Sequence, residues 1–143
     1  MGMGRVRFFT GLEDATEYAA RLLRKACTQG QRVQVLGPQD RLRRIERAVL
    51  QLPGFLPLAV SDASASVRRR SRICLLERFE SGSGNDWVIL NLQDEAFGPV
   101  DDVNQVIELV EDEPQAVQQG RRRFKAYQAQ GQQPEHLVLG APS

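Results

Sequence analysis

The chain has 143 residues, 41% hydrophobic and 26% charged, with a formal net charge of +1. These values fit one soluble globular domain, residues 1–143, with a core of its own. No apolar run approaches the roughly 20 residues of a membrane-spanning helix, no signal segment stands out, and a pI near 7.8 excludes a uniformly basic nucleic-acid binder.

The small net charge hides three blocks. Residues 1–76 carry 14 Lys/Arg against 6 Asp/Glu, residues 77–113 carry Arg78 against 11 Asp/Glu, and residues 114–143 carry four cations against Glu135. Such asymmetry marks candidate partner surfaces, unless folding sets the blocks side by side. Cys27 and Cys74 lack metal-ligand spacing and read as small apolar residues of a reduced, cytoplasmic protein.

In chain order, Arg5-Val6-Arg7-Phe8-Phe9 alternates and then turns apolar, as a strand entering a core does. Thr10-Gly11 is expected to turn the chain. Glu13 and Asp14 then stand where carboxylates favour a helix N-terminus, and Leu12, Ala15, Ala19, Leu22, Leu23 and Ala26 lie at helical spacing up to Gly30. Arg32–Leu36 is the next strand. Gly37-Pro38 opens a helix with Leu42, Ile45, Val49 and Leu52 in a stripe and Arg41, Arg43, Arg44 and Arg47 outside it. Residues 61–71 are expected to form a long mobile loop. Ile73–Leu76, Trp87–Leu92 and residues 103–110 are apolar strands, residues 114–130 form the last helix, and Leu137–Leu139 is a short edge strand or docked tail ahead of residues 140–143. Alternating strands and helices predict an α/β fold, a three-layer α/β/α domain on a mixed, largely parallel sheet.

Catalytic constellations are missing. Gly37-Pro38-Gln39-Asp40 carries one glycine and no following Gly-Lys-Ser/Thr, and Gly82-Ser83-Gly84 has Trp87 where a dinucleotide loop has its third glycine. His136, the only histidine, reads as a surface residue with no relay partner. Asp94-Glu95, Asp101-Asp102 and Glu111-Asp112-Glu113 read as solvated loop acids, the last favouring a helix N-terminus rather than holding a metal. No cofactor, metal or intrinsic enzymatic activity is expected. Arg68-Arg69-Arg70-Ser71-Arg72 is dense enough for phosphate contact, which leaves direct nucleic-acid binding as the alternative function, although no aromatic interleaves with the run.

The last helix is the most specific feature. It carries Arg121, Arg122, Arg123 and Lys125 around Phe124 and Tyr127, with Arg121 and Lys125 four apart on one face. Such a surface suits a carboxylate-bearing peptide: a guanidinium forks the carboxylate, an ammonium adds charge, and an adjacent apolar pocket takes a side chain.

The ordered combination of an aromatic-ended first strand, Gly30-Gln31-Arg32-Val33, Gly54-Phe55-Leu56-Pro57, Asp86–Leu92, Val106–Val110 and Gly120–Tyr127 resembles the chi subunit of bacterial DNA polymerase III holoenzyme over nearly the whole chain. The resemblance implies a non-catalytic replication subunit of the clamp-loader complex. It implies two partners, the psi subunit and the acidic C-terminal tail of single-stranded DNA-binding protein, which ends in Pro-Phe. By position it implies that Arg121, Phe124 and Lys125 bind that tail and that Val110 walls its pocket. Three positions depart from the family's usual residues: Leu58 stands where His is frequent, Val49–Leu52 lacks a Trp that meets psi, and Phe124 replaces Tyr. Leu50 is the apolar side chain left to contact psi.

Overall fold

The computed structural model describes residues 5–54, 59–60, 71–81 and 84–139. Residues 61–70 of the loop expected at 61–71, and the tail at 140–143, lie outside the described residues. In chain order the elements are β1 (Val6–Leu12), α1 (Ala15–Thr28), β2 (Val33–Leu36), α2 (Gln39–Leu50), β3 (Ala59–Val60), β4 (Ile73–Leu76), β5 (Val88–Asn91), a 3-10 turn (Val100–Asp102), β6 (Gln105–Glu111), α3 (Pro114–Ala129) and β7 (Glu135–Val138).

The strands form one sheet in the order β3-β4-β2-β5-β6-β1-β7. Every pairing among the described residues is parallel, so the mixed character expected from the sequence is absent there. Parallel sheets are covered on both faces, and the apolar runs Ile73–Leu76 and Val88–Leu90 are buried throughout. α1 and α2 pack side by side on one face, over Phe9, Val35, Leu75, Leu90, Ile107 and Leu109. Tyr127 of α3 lies in the core on the other face with Val6, Phe8, Ile89, Val106 and Val110, together with Phe97 and Val100 from the β5–β6 connection. The result is three layers, α/β/α.

Local chemistry accounts for the ends of the helices. Asp14 caps α1 by accepting the Glu17 N–H at 3.1 Å, and Glu111 accepts the Ala15 N–H at 2.9 Å from across the sheet. Glu113 caps α3 by accepting from Gln115 and Ala116, so the acids read as favouring a helix N-terminus do so at two helices. One expectation fails at Thr10-Gly11. The strand runs through to Leu12, because Gly11 takes φ +74 and the pairing with β6 shifts register between Phe9 and Leu12.

α3 approaches β6 closely at Gly120. A Cβ built there would lie 2.9 Å from Val110 Cγ2, on a stiff β-branched side chain that cannot swing aside. Gly120→Val is therefore expected to lower stability by about 1–3 kcal/mol, read as a lower urea midpoint with an unchanged slope.

Candidate functional site

β6 alternates strictly. Ile107 and Leu109 enter the core under α1 and α2, while Val106, Glu108 and Val110 face α3. Glu108 is wholly buried there, and its carboxylate collects three donors. Arg123 Nε donates to Oε1 at 2.7 Å, while Tyr127 O–H and Asn91 Nδ2 donate to Oε2 at 2.6 and 2.7 Å. The Tyr127 oxygen in turn accepts the Phe97 N–H at 2.9 Å.

Desolvation raises the Glu108 pKa above the usual carboxylate value, against the opposing pull of the Arg123 charge and the hydrogen bonds from Tyr127, Asn91 and Arg123. The Tyr127 phenol is also pushed up, by its own burial and then by the Glu108 charge. Arg123, which the sequence does not set apart from the helix's other cations, is 8% exposed and belongs to this network. The buried carboxylate requires such a partner, since leaving it unpaired costs several kcal/mol.

With Arg123 and Tyr127 turned inward, one turn apart, the rest of α3 is phased. Arg121 and Lys125 are exposed, and Phe124 lies half-buried with its ring 5.1 Å from that of Phe8. Beside Phe124 runs a groove of about 440 Å³ between α3, the ends of β1 and β6, and β7. Its walls are apolar, with Phe8, Val110, Val117 and Phe124 on one side and Val138 on the other. Arg121, Asp112, Thr10 and His136 are its polar lining residues.

Three of the four residues assigned to tail binding thus come together: Val110, Phe124 and Arg121 line one groove. Lys125 is exposed on the same helix but does not line it. Leu50 ends α2, across the sheet from α3, and is 76% exposed.

His136 is a surface residue, as its context suggested, and it is also part of the groove. Its Nε2 and Thr10 Oγ1 are hydrogen-bonded at 2.7 Å. The register of β7 on β1, which sets His136 beside Phe8 and Val138 beside Thr10, is what brings it there. The period of two within Glu135–Val138 was a sequence signal for grouping His136 with Val138; their groove was not.

Arg68–Arg70 lie outside the described residues, and Arg72 donates to the Gly30 carbonyl at 2.8 Å, at the end of α1. Asp94 pairs with Arg41 at 2.8 Å. Among the described residues no group of three His, Cys, Asp or Glu is arranged to hold a metal, and both cysteines are free thiols.

A family model described as DNA polymerase III chi subunit, HolC, matches residues 3–135. The chain belongs to the DNA polymerase III chi subunit family. It is accordingly an accessory subunit of DNA polymerase III, a protein of DNA replication. A search of curated proteins gives no match. Among the described residues no helix is long and apolar enough to cross a membrane.

The two arginines at opposite ends of the Arg121–Arg123 run should behave differently. Arg123→Ala strands Glu108 in the core and is expected to cost about 3–5 kcal/mol, whereas Arg121→Ala should stay within about 0.5 kcal/mol of wild type. Urea unfolding of both variants measures the contrast.

Proposed function

We propose that this chi-family chain is a non-catalytic tether, joining the clamp loader to the acidic C-terminal tail of single-stranded DNA-binding protein. The observation that supports the reading is the groove itself, an apolar slot lined also by Arg121, on a chain of the chi family. A tail ending in Pro-Phe places its last ring against Val110 and Phe124, while Arg121 receives the terminal carboxylate.

Lys125 stands one turn beyond Arg121 on the exposed face. There it attracts the acidic residues upstream of the ring rather than contacting the ring itself. His136 and Thr10 offer polar contacts on the opposite wall. No cofactor is needed.

A second surface completes the tether. Leu50, 76% exposed at the end of α2, is the contact we assign to psi, so the two partners bind on opposite faces of the sheet. Direct nucleic-acid binding through Arg68–Arg72 has less support, since Arg72 already holds the Gly30 carbonyl.

Such a tail contact is modest in strength and salt-sensitive, because its cations sit in solvent, and several tails on one oligomeric partner raise it by local concentration. A fluorescent acidic peptide ending in Pro-Phe should bind saturably, and Arg121→Ala should weaken it about tenfold, roughly 1.4 kcal/mol. Affinity should fall as salt rises. Absence of binding by folded wild-type protein, or affinity indifferent to both Arg121 and salt, would sink the assignment.

A further inference from the structure

A second concavity lies away from the groove, at the carboxyl ends of β5 and β6, where α1, α2 and α3 converge from both faces of the sheet. The chain leaves β2 into α2 on one face and leaves β5 toward the α3 face. Neighbouring strands whose connections part to opposite faces open a crevice at their carboxyl ends, the usual ligand position in open parallel α/β sheets. This crevice has a volume of about 190 Å³.

Arginines enter it from two layers. Arg123, on α3, is more than nine-tenths buried, and its Nε is held by Glu108. Its two Nη nitrogens form no hydrogen bond with any described residue and are not sealed from solvent, since the crevice lies beside them. Arg44, on α2, lines the other wall and has no ion pair or hydrogen bond among the described residues. Arg41 is fixed between them by its bonds to the Leu92 carbonyl and Asp94, at 2.5 and 2.8 Å. Thr16, Gln93 and Gln119 add neutral polar groups.

Two carboxylates also line the crevice, and both are engaged. Asp94 holds Arg41, and Glu111 holds the Ala15 N–H. The free donors are therefore those of Arg44 and Arg123, with the Thr16 hydroxyl and the Gln119 amide, while the Gln93 amide donates to the Glu77 carbonyl at 3.4 Å. They reach the space from three helices. A tetrahedral oxyanion presents acceptor oxygens in more directions than a planar carboxylate and suits donors from several elements better.

We propose that this crevice is a phosphoryl-binding site, built from side-chain donors in place of the glycine-rich backbone loop that the sequence lacks. Its size admits one phosphoryl group, so any nucleoside attached to it remains outside. The near balance of cations and carboxylates makes the affinity weak, in the millimolar range. The inference is independent of the tail groove, which shares none of these residues.

The test is an NMR titration of the full chain with inorganic phosphate, at constant ionic strength maintained with chloride. Backbone amides of Thr16, Gln93 and Gln119 should shift saturably, Arg44→Gln should weaken binding about tenfold, and Arg121→Ala should leave it unchanged. Gln119→Leu serves as a second variant that also weakens binding, and Arg123 stays intact because its loss unpairs Glu108. A nucleoside 5′-monophosphate moving the same amides with equal or greater affinity would extend the site to phosphate esters. Shifts that never saturate, that chloride reproduces, or that survive Arg44→Gln would overturn the proposal.

Discussion

The contact between Arg123 and Glu108 sets the geometry on which everything on the α3 side depends. Relative to a well-packed apolar pair, a buried ion pair contributes little net stability, but it is intolerant of misalignment. Glu108 is fixed by the β6 register, so α3 must present Arg123 and Tyr127 to it. Gly120, where the helix comes closest to Val110, lets α3 settle near enough for those bonds to form. Once that face is inward, the 3.6-residue period leaves Arg121 and Lys125 outside and Phe124 at the boundary against Phe8.

The same helix thus borders two separate concavities. Along one flank, Phe124 and Arg121 meet β7 and the end of β1 in an apolar groove. Along the other, Arg123 and Gln119 reach the crevice at the carboxyl ends of β5 and β6. Arg123 takes part in packing and crevice at once, since its Nε is committed to Glu108 and its outer nitrogens are not. Neither feature needs a catalytic relay, in keeping with a chain that belongs to an accessory-subunit family.

Much of this was legible in the sequence. The apolar stripes of α1 and α2 are the buried faces observed, with Ala19, Leu23, Leu42, Ile45 and Val49 in the core. Val110, Arg121 and Phe124 converge because strand and helix periods place them on facing surfaces. What stayed hidden depends on contacts between distant segments. Three consecutive arginines look alike until Glu108 is known to face α3, although a lone acid inside Val106–Val110 and the four-residue spacing of Arg123 and Tyr127 were signals for it. The role of His136 required the pairing of β7 with β1, and the all-parallel sheet required the strand order; neither is encoded in local pattern. The continuation of β1 through Gly11 was hidden by a glycine that reads equally as a turn.

In the proposed tether, one groove, phased by the Arg123–Glu108 contact, receives the end of an acidic tail. A crystal structure of the chain with a peptide ending in Pro-Phe examines it most directly. The terminal phenylalanine ring should lie against Val110 and Phe124, with the carboxylate on the Arg121 guanidinium and the Arg123–Glu108 bond unchanged behind them. A peptide seated elsewhere, or one that draws Arg123 out of the core to meet its carboxylate, would contradict that placement.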